Sequence, residues 1–316
     1  MALPHTIALT GATGFIGGAL LRALLNEGLQ IRALVRRTSR AVAAGPVEWI
    51  RGDLDDTECL RELTRGADAV IHCAGAVRGA RRADFDLVNV AGVARLAAVA
   101  ASYQPAPRFL LMSSLAAREP GLSFYASSKR DGEDALAGAA GPMGWAVLRP
   151  PAVYGPGDRE VAPLFRWIGR GHAPLLSEAD ARFSLLYIDD LAAAVVAWLR
   201  DGGNERRAFE LHDGRLGGYS WEDVVSIAER LLGRRIRRIP VPASLLRVAA
   251  GVNLVAARVL RYRPMLTPGK VCELRHRDWV CDNREIHQAI AWAPRVGLEE
   301  ALRSGLGWGT ISATRS

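Results

Sequence analysis

The 316-residue sequence predicts an α/β fold: a doubly wound parallel sheet followed by a smaller, mostly helical C-terminal portion. Three observations carry this expectation. Short aliphatic runs alternate with Ala/Leu-rich stretches from the N-terminus, a glycine turn joins the first strand to the first helix, and the alternation ends at a Pro/Gly-rich stretch opening at Pro150.

Strands are expected at Thr6–Thr10, Gln30–Val35, Val47–Arg51, Ala69–Cys73, Arg108–Ser113 and Ala146–Arg149, with a later one at Ala208–His212. Helices fit between them at Phe15–Glu27, Thr57–Thr64, Val88–Ser102 and Tyr125–Ala137. Because a β-crossover-β unit is almost always right-handed, this order implies a ligand crevice at the C-terminal ends of the strands. Beyond Pro150, PPAVYGPGDRE and the stretch from Gly169 to Ser177 are loop chemistry. Ser220-Trp-Glu-Asp223 then reads as the cap and third-position acid of a helix that runs to Leu232 and stops at Gly233.

Composition narrows the class. With 49% hydrophobic and 23% charged residues the chain can bury a large core, which excludes a disordered tail, a collagen or a disulfide-stapled miniprotein. The four cysteines and six histidines show no CxxC, HExxH or other ligand spacing, so no metal is expected. The N-terminus lacks the basic and apolar regions of a leader, and no uninterrupted apolar run approaches about 18 residues, so the reading is a soluble, cytoplasmic protein. Forty-one basic against thirty-three acidic residues give a net charge of +8, which suits a phosphate-bearing cofactor, nucleic acid or an acidic membrane surface. No RNP-like or zinc-finger motif supports nucleic acid. Only Lys129 and Lys270 are lysines; the other 39 basic residues are arginines, so each lysine raises the question of what an ammonium does there that a guanidinium cannot.

The first strand runs into Gly11-Ala-Thr13-Gly14-Phe15-Ile16-Gly17, in which glycines let the backbone approach a pyrophosphate and the helix N-terminus offers free N–H groups. The second strand ends in Arg36-Arg37 where an NAD site would place an acid. Two arginines suit a ribose 2′-phosphate, so NADP is preferred and NAD is the alternative, unless both are merely solvated surface arginines. After the third strand, Asp53-Leu54 stands where an aspartate can accept from the adenine amino group, its other reading being a helix N-cap. Tyr125-Ala-Ser-Ser-Lys129 puts a phenol and an ammonium at i and i+4 on one helix face, where the ammonium favours the phenolate and its donors can reach the nicotinamide ribose. Ser113 and Ser114 end a strand on the crevice side, where a hydroxyl can bond the substrate oxygen. The expected organisation is a dinucleotide-binding domain over residues 1–155 with a returning segment at about 184–212, and a substrate-binding portion made of 156–183 and 213–316.

These segments resemble the short-chain dehydrogenase/reductase superfamily, specifically its extended branch, the NAD-dependent epimerase/dehydratase family. Thr10 to Gly17 is similar to that family's TGxxGxxG, His72-Cys-Ala74-Gly75 to its fourth-strand turn and Asn89-Val-Ala-Gly92 to its following helix. Arg149-Pro-Pro151-Ala-Val153-Tyr-Gly155 and Tyr187-Ile-Asp-Asp-Leu191 are similar to the segments that flank the nicotinamide and close the substrate cleft. The resemblance implies a Rossmann domain, a Ser114, Tyr125 and Lys129 triad with Tyr125 as acid/base and Lys129 as ribose anchor and pKa depressor, and backbone contacts near the nicotinamide from Pro151 to Val153. It implies cofactor contacts at Ala74, Gly75 and Asn89. The C-terminal part, with Pro264-Met-Leu-Thr267 and Trp279, resembles 3β-hydroxysteroid dehydrogenase-like members.

Two departures bear on the reaction. Ser114 and Tyr125 are only 11 positions apart, which shortens the loop that shapes a sugar pocket, and Leu115-Ala116 replaces the acid that dehydratases place after this residue. The expected activity is interconversion of an alcohol and a ketone by hydride transfer on a small-molecule substrate. The alternatives are a nucleotide-sugar epimerase with tightly held cofactor and a non-catalytic NADPH-binding scaffold or sensor. Gly233-Arg-Arg-Ile-Arg-Arg238 and the apolar Ser244–Leu260 read as a solvated arginine turn before a helix, with a membrane-surface patch as the alternative. Oligomeric state stays open, a homodimer through paired helices being a common arrangement of the resembled family.

Overall fold

The computed structural model describes residues 5–36, 46–201 and 206–304. Strands β1 (Thr6–Thr10), β2 (Gln30–Val35), β3 (Val47–Arg51), β4 (Ala69–His72), β5 (Arg108–Met112), β6 (Trp145–Arg149) and β7 (Arg207–Glu210) form one seven-stranded sheet in the order β7-β6-β5-β4-β1-β2-β3. Every pairing is parallel. The central strands are buried on both faces, as the unbroken burial of Ala69-Val-Ile-His72 shows, which is why they read as continuous apolar runs rather than alternating ones. This is the doubly wound Rossmann arrangement, and its order reverses between β1 and β4, where a ligand crevice opens.

One face of the sheet is covered by α1 (Phe15–Asn26) and the other by α2 (Thr57–Thr64), α3 (Val93–Ala101) and α4 (Phe124–Ala139), while α5 (Ile188–Asp201) joins α1. The helix expected from Val88 to Ser102 is in two parts, because Leu87–Gly92 winds as a π-helix before α3 begins. Gly132 of α4 supplies the reason. A Cβ there would lie 2.1 Å from the Asn89 carbonyl oxygen, so the two helices meet backbone to backbone and the wider turn accommodates that approach.

The C-terminal region is mainly helical. Ser220 and Asp223 form the expected capping box of α6 (Trp221–Leu232), which Gly233 ends at φ 63°. Next come α7 (Ala243–Leu260), α8 (Pro268–Arg275) and α9 (Arg284–Ala289). Ile286, Ile290 and Trp292 return to the sheet core beside α5. There the Asp190 carboxylate accepts from the Arg295 and Val296 amides at 3.0 and 2.9 Å. At 18 residues with a mean hydropathy of 1.5, α7 is by length and composition able to cross a membrane, yet only 11% of it is buried. The expectation of no such segment rested on an uninterrupted run, and Arg247 and Arg258 interrupt this one.

Candidate active site

At the reversal point β1 runs into the glycine turn. Gly11 has φ +73°, and a Cβ on it would lie 2.6 Å from the Ala74 nitrogen, while one on Gly17 would lie 2.1 Å from the Gly11 carbonyl oxygen. Both glycines therefore let α1 start hard against the strand ends. Gly14 caps α1 with no side-chain bond, and the first turn of the helix carries no acid. A Cβ on Gly14 would meet only the Gly11 carbonyl oxygen, at 3.2 Å, so its other side is open. A helix start with unshielded N–H groups and a positive dipole end fits a dinucleotide pyrophosphate.

That turn forms one wall of a cavity of about 1310 Å3. Ligand pockets are typically roughly 300–1,000 Å3, so this one has room for a dinucleotide and a second molecule. Gly11, Thr13, Gly14, Phe15, Ile16 and Gly17 line it together with Gly75, Ser114, Tyr125, Pro151 and Val153.

Ser123 caps α4 by accepting from the Ala126 amide at 2.9 Å, which sets Tyr125 in the first turn facing the end of β5. Ser114 Oγ accepts from the Ala116 amide at 3.2 Å, and its hydroxyl stands beside the Tyr125 phenol on the cavity wall. Burial pushes the phenol up to about 12; the Ser114 hydroxyl opposes the rise and the Glu273 carboxylate adds to it. The lowering expected from Lys129 is not found. One turn along α4, the Lys129 ammonium donates to the Met112 carbonyl at 2.8 Å, and a Cβ on Gly75 would lie 3.5 Å from it. Burial brings Lys129 down to about 8, against the pull of Cys73 and Glu133.

Beneath these groups lies a buried polar scaffold. Ser113 Oγ donates to Glu133 Oε1 at 2.5 Å, and Arg149 Nε donates to the same carboxylate at 2.9 Å, tying the ends of β5 and β6 to α4. Thr10 Oγ1 accepts from the Ala74 amide at 3.1 Å and lies 2.7 Å from His72 Nδ1. Burial holds His72 neutral, down to about 3, so one hydrogen bond joins the imidazole and the hydroxyl.

Other expected residues stand apart from the cavity wall. Arg36 is exposed at the end of β2, and Arg37 lies outside the described residues. Asp53 is exposed beside the buried Leu54, and the cap of α2 is Asp56, which accepts from the Cys59 amide at 3.1 Å. Asn89 is 2% exposed; its amide accepts from Ala76 N at 2.8 Å and donates to Ala76 O and Ser128 Oγ at 2.9 Å each, so it fixes the turn after β4.

Lys270 and Glu273 of α8 were not anticipated as site residues. The Lys270 ammonium lies 5.9 Å from the centre of the Tyr125 ring and 2.7 Å from Glu273 Oε2, and Glu273 also accepts from Ser123. Both lysines of the chain thus flank the helix turn that carries Tyr125. The rarity of lysine was the signal that could have found the second one. Arg22, on the cavity wall two turns into α1, had no such signal among 39 arginines.

Comparison with known proteins agrees with this geometry. Residues 7–211 match the family model described as the NAD dependent epimerase/dehydratase family. The chain is 39% identical over 311 residues to a ceramide reductase of Caulobacter vibrioides, covering 96% of this chain and 93% of that protein. It is 30% identical over 209 residues to a 2-alkyl-3-oxoalkanoate reductase of Stenotrophomonas maltophilia, covering 60% and 63%. In fold it is similar to UDP-glucuronic acid 4-epimerase from Bacillus cereus, a structure in complex with NAD, with a TM-score of 0.71 at 18% identity over 94% of this chain and 96% of that one. The chain belongs to the NAD-dependent epimerase/dehydratase family, the extended branch of the short-chain dehydrogenases/reductases.

Proposed function

We propose that the chain is an NADP-preferring reductase that converts a ketone on a long-chain lipid of the ceramide class into a secondary alcohol. The observation that carries this reading is a neutral phenol beside Ser114, held up at about 12 by burial, on the wall of a large cavity that the glycine turn also lines. Such a phenol is a proton donor at neutral pH, which reduction of a carbonyl requires. The ceramide reductase similarity over nearly the whole chain supports the lipid class, as do the apolar Phe124, Leu254 and Met265 on the cavity wall.

The glycine turn would hold the pyrophosphate and Gly75, Pro151 and Val153 the nicotinamide end, with Arg36 and Arg37 favouring a 2′-phosphate. When bound, the dinucleotide supplies the hydride. Ser114 orients the substrate oxygen, and as the carbonyl π electrons move to that oxygen it takes the Tyr125 proton, while the Lys129 ammonium would hold the nicotinamide ribose.

The test is to follow NADPH absorbance on adding a ceramide-type ketone. A decrease matched one to one by alcohol product supports the reading. Interconversion of sugar nucleotides with no net absorbance change would replace it with the epimerase reading, and binding of NADPH without turnover on either substrate class would leave a scaffold.

A further inference from the structure

Among the described residues, exposed large apolar side chains gather in one stripe of α7. Leu245, Val248, Val252, Val255 and Val259 recur at alternating steps of three and four, and their exposures run from 59% to 73%. The opposite side of the helix belongs to the protein, since Ala250 and Ala257 are buried and Leu254 lines the catalytic cavity. The loop that follows, with Pro264 and Met265, lines the cavity too. A single helix therefore shows one face to the cavity and the other to the outside.

The charge around it is one-sided. Residues 230–272 contain ten basic residues and no acidic one, leaving 31 basic against 33 acidic residues in the rest of the chain. The whole positive surplus lies in this segment. Arg230 and Arg238 are matched by Glu299 and by Glu222 and Glu229. Arg247, Arg258, Arg261 and Arg263 make no ion pair among the described residues. By helical spacing, Arg247 and Arg258 fall along one flank of the apolar stripe.

We infer that α7 docks the protein on an anionic bilayer surface, with the valine stripe in the acyl boundary, the arginines among the headgroups and the cavity opening beside the membrane. An apolar stripe flanked by unmatched arginines is the pattern of a helix lying in the interface plane. It does not span, because the helix packs on α8, Ala250 and Ala257 are buried in the protein, and two arginines stand within its length. A second copy of the chain is the poorer occupant, since two such faces would bring unmatched arginines together with no acid in the segment to pair them. On the reading proposed above, docking also gives a membrane-held ketone a route past Leu254 to Tyr125.

The test is co-sedimentation of the full chain with phosphatidylcholine vesicles, with and without phosphatidylglycerol, alongside NADPH binding and gel filtration without vesicles. Binding to the anionic vesicles that weakens with salt is expected. V252D/V255D lowers it roughly tenfold or more, and R247Q/R258Q by about fivefold per arginine on anionic vesicles only. NADPH binding stays at the wild-type level in both variants, so a failure of the redox reading leaves this result untouched. The inference is overturned if the wild type stays in the supernatant, if V252D/V255D binds vesicles as the wild type does, or if a vesicle-free dimer dissociates on V252D/V255D, which would give the stripe to a second copy.

Discussion

The two walls of the cavity are built on different principles. The wall formed by the glycine turn, the ends of β4 and β5 and the first turns of α4 is set by backbone: glycines at close approach, strand register and helix caps. The facing wall, from α7 through α8, is set by side chains, with the Lys270 and Glu273 pair over the Tyr125 ring, Leu254 and Met265 on the surface, and a helix whose far side is bare. Backbone placement holds a common cofactor the same way in many proteins, whereas side chains choose what is brought to it. Altering the first wall should therefore cost chemistry or folding, and altering the second should change rate and substrate by smaller factors.

The largest effect is expected at Tyr125. Tyr125→Phe keeps the ring and the packing against Phe85 but removes the proton that the substrate oxygen takes up, so turnover should fall by about 10²–10⁴-fold with NADPH binding retained. Unchanged turnover would remove Tyr125 from the reaction. Next is the scaffold beneath it. Glu133→Gln keeps an acceptor for Ser113 but leaves the Arg149 guanidinium, 16% exposed, without its counter-charge, and the expected loss is about 3 kcal/mol in denaturant unfolding. A loss below about 1 kcal/mol would show that solvent reaches the pair and that β5 and β6 are not held to α4 by it.

Most of the first wall was legible before any coordinates. Three strands fall on the bounds read from residue pattern, and the caps at Ser220 and Gly233 are where Ser-x-x-Asp and a trailing glycine put them. Local chemistry decides such features, so local sequence reports them. The π-turn at Asn89 was not legible, because its cause is Gly132, which lies 43 positions away in sequence and meets it only across a helix interface. Neither was the direction of the Tyr125 shift. Spacing at i and i+4 placed Lys129 on the right face, but its ammonium turns to the Met112 carbonyl, and burial then governs the phenol. The second wall was the least readable: Lys270 showed itself only by being rare, and Glu273 not at all.

The pH dependence separates the walls further. Lys129 is charged below about 8 and Tyr125 stays protonated to about 12, so reduction should slow as pH rises through about 8, as the ammonium that would hold the nicotinamide ribose loses its charge. A limb set instead by the phenol would lie far higher. Stability gives the complementary signs. His72 binds a proton near 6.5 when unfolded and near 3 when folded, so stability should be lost as pH falls between those values. Unfolded Lys129 keeps its proton to about 10.5 while the folded group releases it near 8, so stability should rise between about pH 8 and 9, above which the buried Cys73, Cys281 and Tyr125, held protonated to about 12, oppose it. Thermal unfolding across the range reads both slopes, and a flat profile below pH 6.5 would mean that His72 is hydrated in solution.

The smallest and most discriminating effect is expected from Glu273→Gln on the second wall. The amide keeps an acceptor for Ser123, so the cap of α4 should survive, but the negative charge that raises the Tyr125 phenol is gone and Lys270 remains over its ring. The phenol should then ionise more easily. Alcohol oxidation, which needs the phenolate, should begin at lower pH, and kcat in either direction should change by no more than about fivefold, the scale of a partly exposed ion pair. If the pH profile stays in place while KM rises, Lys270 and Glu273 hold the substrate rather than tune the phenol. The side-chain wall would then act on binding alone, and the backbone wall would carry all of the proton chemistry.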